Sequence, residues 1–181
     1  MKNNSKYESL KTIFLAIFLA LLIRSFILEP FNIPSGSMKP TLLIGDYLFV
    51  KKWAYGYSKH SLPFSIPIIN NRIFYSKPER GDVLVFKTPE DNRTDYIKRV
   101  IGLPGDKIQI MNGVVFLNNE ALPKLQIDNF IEENNIGKKI NISQYEETLF
   151  NKVYKTLDLV NNGVADNTNL YVVPENHFFV M

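Results

Sequence analysis

Gly81-Asp82-Val83-Leu84-Val85-Phe86 reads as a turn followed at once by a strand: Gly-Asp bends the chain, and the β-branched and apolar residues after it extend it. The same plan occurs upstream as Gly45-Asp46-Tyr47-Leu48-Phe49-Val50 and downstream as Gly105-Asp106-Lys107-Ile108-Gln109-Ile110. Further strands are expected at Tyr96–Ile101, at Val114–Leu117 with Asn118-Asn119 as the turn, at Tyr171–Val173 and at Phe178–Met181. Short strands separated so densely by turns argue for a mainly β fold built on an antiparallel sheet.

Ahead of this region, Thr12 to Leu28 reads TIFLAIFLALLIRSFIL, an apolar run broken only by Arg24 and Ser25. As a helix it spans about 26 Å at ~1.5 Å per residue, just short of a ~30 Å hydrocarbon core, with Arg24 near enough to one end to snorkel. Lys2, Lys6 and Lys11 precede the run and Glu29 follows it. By the positive-inside rule this puts the N-terminus in the cytoplasm and everything after Leu28 outside. A cleavable signal peptide is the competing reading, since Ile13 to Ile23 has the length of an h-region, but no small-x-small site follows and Arg24 through Phe31 are bulky or charged. A retained single-pass anchor is therefore expected.

The resulting plan is a cytoplasmic tail at 1–11, a transmembrane anchor at 12–28, the first part of a β domain at 29–110, an inserted cap subdomain at 111–170 and a return to the β domain at 171–181. Residues 52–80 interrupt it with Trp53, Tyr55, Tyr57, Pro63, Phe64, Pro67, Phe74 and Tyr75. Two readings stand for this excursion, an apolar hairpin lying on a membrane surface and an irregular segment covering the core. Residues 120–170 are polar and Asn-rich, with an amphipathic helix or a strand pair around Ile142 to Leu159, and suit an exposed cap.

At 181 residues the chain has room for one ordinary domain with extensions. A net charge of +3, with Lys and Arg scattered among Asp and Glu, gives no basic stripe and argues against nucleic acid as a partner. There is no cysteine, which excludes disulfides, thiolate catalysis and Cys-based metal sites. His60 and His177 lie far apart without neighbouring ligand patterns, so neither a His-based triad nor a metal site is expected. No cofactor is implied, and oligomeric state is not legible.

Chemistry concentrates in Pro34-Ser35-Gly36-Ser37-Met38-Lys39-Pro40-Thr41-Leu42 and, some sixty residues later, in Asp95-Tyr96-Ile97-Lys98-Arg99. A serine needs a base to become a nucleophile. Gly36 lets backbone approach a substrate, Pro34 and Pro40 stiffen both flanks, and backbone N–H groups with the Ser35 hydroxyl can point at a developing oxyanion. In the strand Tyr96–Ile101, Tyr96, Lys98 and Val100 share one face. A lysine on a face that turns inward is desolvated, which disfavours the ammonium form and suits a general base. The plain alternatives are an ordinary Ser/Gly/Pro loop and a solvated strand lysine beside Arg99.

Phe31-Asn32-Ile33-Pro34-Ser35-Gly36-Ser37-Met38-Lys39-Pro40-Thr41-Leu42, Gly81-Asp82-Val83-Leu84-Val85-Phe86-Lys87 and Asp95-Tyr96-Ile97-Lys98-Arg99-Val100-Ile101-Gly102-Leu103-Pro104-Gly105-Asp106 resemble, in order, successive signature boxes of the bacterial type I signal peptidases. The resemblance implies a serine endopeptidase of the Ser/Lys dyad kind. Such an enzyme sits in the bacterial cytoplasmic (inner) membrane, its catalytic domain on the outer, periplasmic face, and removes signal peptides from exported preproteins. It makes Ser37 the nucleophile, Lys98 the general base, and the Ser37 N–H with the Ser35 hydroxyl the oxyanion hole. Phe31, Ile33, Pro34, Met38, Leu42, Tyr96 and Ile97 fall where the family lines its shallow apolar substrate pockets. Signal peptides and membrane lipids are the implied partners.

The family has one more box, Gly-Asp-Asn-Arg followed by a serine and then Asp-Ser/Gly-Arg, directly after a strand like Phe178–Met181. Its serine would orient the lysine amine. The chain stops at Met181, so the expectation is a catalytic machinery without that box: a fragment, a truncated product or an inactive relative. Asp91-Asn92-Arg93 is no substitute, because it precedes the lysine strand and lacks the leading glycine and the following serine. Two further readings stay open. One is another Ser/Lys peptidase, such as a self-cleaving repressor, which the anchor opposes. The other is a non-catalytic membrane-anchored β module that binds signal peptides or a secretion partner.

Overall fold

Why the apolar run stops being a helix is written in Leu28-Glu29-Pro30: a proline disfavours helical backbone in the residue before it. In the computed structural model, which describes residues 2–62, 68–133, 137–160 and 162–181, the helix α1 covers Lys2–Phe26. Its last turn is closed by the Ile27 N–H donating to the Ile23 carbonyl at 2.8 Å, and Leu28 already opens a strand. Lys6–Phe26, with a mean hydropathy of 1.9 and nothing buried, is long and apolar enough to cross a membrane.

The chain divides into two compact units. The first contains α1, the strands β1 (Leu28–Asn32) and β2 (Tyr47–Lys51), and the segment to Lys77. β1 and β2 are antiparallel, with Pro30 opposite Phe49, and the Lys52 ammonium reaches the Glu29 carboxylate at 3.2 Å. Tyr47 and Phe49 alternate outward on β2 and are 81% and 69% exposed. Where described, the aromatic excursion has a 3-10 turn at Lys59–Ser61, an isolated antiparallel bridge between Tyr57 and Ile73, and the Arg72 guanidinium on the Tyr55 and Gly56 carbonyls. Trp53, Ile68, Ile73, Phe74 and Tyr75 are exposed along it. Pro63, Phe64 and Pro67 lie outside the described residues.

The second unit holds Ile33–Asp46 and Pro78–Met181. Its strands are β3 (Val83–Lys87), β4 (Asp95–Gly102), β5 (Lys107–Met111), β6 (Val114–Leu117), β7 (Glu120–Ala121), β8 (Lys124–Glu133), β9 (Lys139–Leu149), β10 (Lys152–Asp158), β11 (Tyr171–Val172) and β12 (Phe179–Val180). They form three antiparallel sheets in the orders β12-β4-β3, β11-β5-β6-β7 and β10-β9-β8.

The Gly-Asp plan is realised three times. Gly45, Gly81 and Gly105 adopt φ of +91°, +81° and +87°, a region costly for any residue with a Cβ, and β2, β3 and β5 follow them directly. The expected strand pair over 142–159 is β9 and β10. β8 was not legible. Its apolar residues Leu125 and Ile127 alternate, but a register shift between Ile127 and Phe130 breaks the period before it can be recognised.

Ile101, Ile108, Val115, Leu117, Leu122, Leu149 and Val173 form the core where the three sheets meet, each contributing roughly 2 kcal/mol by burial. Gly102 is required there: a Cβ would lie 2.2 Å from the Ile108 Cδ1 atom and 3.2 Å from the Phe179 and Val173 side chains.

Asp106 ties the third Gly-Asp turn down. Its carboxylate accepts from Arg80 Nη2 at 2.7 Å, the Asn118 amide at 2.9 Å and the Leu103 N–H at 2.7 Å. Burial works to raise this carboxyl, but the bonds from Asn118, Leu103 and Arg80, together with the Arg80 charge, outweigh it and hold it below the usual carboxylate range. A carboxyl lowered in the folded state contributes stability that is fully present above about pH 4 and is lost as pH falls through the folded value. Asp106→Asn is therefore expected to cost about 3 kcal/mol at neutral pH, since Arg80 is left without its partner. The deficit should shrink on acidification, which thermal unfolding between pH 3 and 7 will show.

Candidate active site

Ile33 and Asp46 close the base of the serine loop: the Ile33 N–H donates to the Asp46 carbonyl and the Gly45 N–H to the Ile33 carbonyl, both at 2.9 Å. The Asp46 carboxylate caps the return by accepting the Leu43 N–H at 2.8 Å. Within the loop, Lys39 N–H donates to the Gly36 carbonyl and Leu42 N–H to the Met38 carbonyl, both at 3.0 Å. Ile33 and Met38 are buried, 2% and 8% exposed, and act as the loop's apolar feet.

Those feet leave the serines outside. Ser35 and Ser37 are both exposed, with their hydroxyl oxygens 3.5 Å apart. The Ser37 N–H has no acceptor among the described residues, so a donor beside the hydroxyl remains available for an anionic oxygen.

Lys98 sits in β4, the central strand of its sheet. It is opposite Leu84 of β3, and on the other side β12 pairs at Val100 and Gly102. Reciprocal bonds between Arg99 and Met181, at 2.8 and 2.9 Å, extend that second pairing. The Lys98 side chain is half-buried, with Val100 fully buried two residues on and Tyr96 47% exposed two residues before. Among the described residues the Lys98 amine makes no ion pair, and no hydrogen bond joins it to the Ser37 hydroxyl. Such bonds are often long in unliganded sites and tighten only around a substrate.

On the opposite face of β4, Arg99 donates to the Gly81 carbonyl at 2.8 Å and stacks 4.3 Å over the Tyr154 ring of β10. Burial works against its charge, and Tyr154 and Glu147 partly restore it. Of the remaining pocket candidates, Ile97 is buried, Leu42 half-buried and Pro34 exposed, while Phe31 belongs to the first unit, half-buried on β1.

Asp91-Asn92-Arg93 has a structural task. The Asp91 carboxylate accepts from the Thr94 hydroxyl, the Thr94 and Arg93 N–H groups and the Thr88 hydroxyl, and these bonds hold it far below the usual carboxylate range. It caps the turn between β3 and β4. Among the described residues no cluster of His, Asp and Glu side chains is placed to hold a metal ion. One contact had no sequence signal: the Lys39 ammonium, two residues past Ser37, pairs with the Glu132 carboxylate of β8.

The three antiparallel sheets, the exposed serine loop and the lysine on a central strand all belong to the second unit. The family model described as signal peptidase, peptidase S26 matches residues 6–181, and the chain belongs to that family. It is 41% identical over 174 residues to Signal peptidase I of Rickettsia conorii (strain ATCC VR-613 / Malish 7), covering 91% of this chain and 64% of that protein. It is 38% identical over 188 residues to Signal peptidase I of Rickettsia canadensis (strain McKiel), covering 99% and 69%. The chain thus spans about two thirds of the length of these relatives. The family and the apolar helix together indicate a membrane-anchored protein.

Proposed function

We propose that the chain is a membrane-anchored serine endopeptidase that removes signal peptides from exported preproteins. The observation that carries this reading is the occurrence, in one unit of an S26 family member, of a serine lifted into solvent on a braced loop and of a half-buried lysine on a central strand that makes no ion pair among the described residues. In the proposed reaction the Lys98 amine takes the Ser37 proton as Oγ attacks the scissile carbonyl. The Ser37 N–H and the Ser35 hydroxyl receive the oxyanion, and the lysine returns its proton to the leaving amine. In this reading Pro34, Leu42 and Tyr96, the accessible members of the family's pocket positions in this unit, supply a shallow apolar surface suited to small side chains, over the buried Ile33, Met38 and Ile97. With the N-terminus cytoplasmic, α1 would place the peptidase unit on the outer face of the membrane, beside its substrates. The exposed Tyr47, Phe49, Trp53 and Phe74 would then rest at the lipid interface, where amphipathic rings are favoured.

Two measurements test the chemistry. A lysine base acts as the neutral amine, so kcat/KM should rise as pH increases from 6 toward 10; a flat profile contradicts it. A preprotein whose Ala-x-Ala site carries leucine in place of the final alanine should go uncut, whereas equal cleavage of both sites contradicts the shallow pocket.

A further inference from the structure

The serine loop is fastened at a second point, away from its base. Lys39 folds back across Gly36, so that a Cβ on that glycine would lie 3.0 Å from the Lys39 Cε atom and 3.5 Å from its Nζ. From there the ammonium reaches the Glu132 carboxylate near the end of β8. The Lys39 side chain is 15% exposed and that of Glu132 35%, so water screens the pair only in part. Alongside it, Pro40 and Thr41 of the loop and Phe130, Gln144 and Lys155 of the sheet line an open cavity of about 330 Å³. The loop does not rest on that sheet through close packing there. The Lys39–Glu132 ion pair joins the same loop to the same sheet.

We propose that Lys39 and Glu132 form a strap that sets the position of Ser37, making both of them positioning residues for the nucleophile. The proposal rests on the peptidase reading for its effect on rate, though not for its effect on the loop. Ser37 is exposed, its N–H has no acceptor among the described residues, and the loop around it is otherwise held by two backbone bonds of 3.0 Å and by the buried Met38 side chain. The base is held at Ile33 and Asp46 and the middle by the buried Met38 side chain, and the strap holds the side that faces β8 against a tilt about those points. Such a tilt would separate Ser37 from Lys98 without unfolding either element. A loss of alignment near 1 Å lowers turnover by up to about a hundredfold, so the strap acts on kcat and leaves KM nearly unchanged.

The test uses the full chain in detergent and three variants: Lys39→Met, which keeps the stem over Gly36, Glu132→Gln, and the exchanged pair Lys39→Glu with Glu132→Lys. Hydrogen exchange is followed at the hydrogen-bonded amides of Lys39 and Leu42, with cleavage kinetics in parallel. The strap predicts faster exchange in both single variants, confined to that loop. It also predicts a kcat lowered about tenfold or more with KM retained, and substantial recovery of both readouts in the exchanged pair. Unchanged exchange in the single variants overturns the strap, whatever the cleavage rates, as does failure of the exchanged pair to recover. If the wild-type chain cleaves nothing, the peptidase reading fails by itself, and the exchange data still decide the strap.

Discussion

Ser37→Ala is expected to lower preprotein cleavage roughly ten-thousandfold or more while leaving the fold as it is. The two halves of that expectation have separate grounds. Ser37 is exposed and, among the described residues, its hydroxyl has the Ser35 hydroxyl at 3.5 Å as its one hydrogen-bond partner, so removing it takes away no buried hydrogen bond. Thermal stability should therefore stay within about 0.5 kcal/mol of wild type, as for surface substitutions generally. In the proposed reaction the hydroxyl oxygen is nevertheless the atom that attacks, and alanine has nothing to put in its place. Substantial residual cleavage, with the variant folded, would remove Ser37 from the mechanism.

Lys98→Met is expected to cost as much for a different reason. Methionine keeps an unbranched apolar chain in a half-buried position of β4, and the strand's pairing with β3 and β12 is backbone pairing that the substitution leaves alone. What disappears is the amine that takes the proton in the proposed reaction. Because nucleophile and base act as a unit, the double variant Ser37→Ala, Lys98→Met should be no slower than either single variant. Lys98→Arg should not rescue, since a guanidinium stays charged and cannot accept the proton. Rates and circular dichroism of the same preparations check both claims, and appreciable turnover by Lys98→Met would exclude a lysine base.

Much of the fold was legible because it is punctuated locally. Gly-Asp before an apolar run carries its own turn, and each of its three occurrences launches the expected strand. Asn118 and Asn119, with φ of 54° and 70°, make the turn from β6 to β7 in the same way. What local pattern could not reveal was pairing set by irregularity or by distance. β1 carries a proline and becomes a strand only against β2. β8 hides its alternation behind a bulge.

The candidate site divides along the same line. The kinds of residue required, a serine on a glycine turn and a lysine among apolar strand neighbours, are stated by Pro34–Leu42 and Asp95–Val100 themselves. The contacts made around them come from residues remote in sequence: Glu132 on Lys39 of the serine loop, Tyr154 on Arg99 beside Lys98, and Arg80 on Asp106. A charged residue on a polar strand such as β8 looks like any solvated residue until its partner is seen.

The most direct measurement is incubation of the full chain in detergent with a preprotein bearing an Ala-x-Ala site, beside the Ser37→Ala variant, with products identified by mass. The account predicts one cut after the final alanine in the wild type and none in the variant. Equal cutting by both, or a folded wild-type chain that binds the signal peptide and leaves it intact, would contradict it.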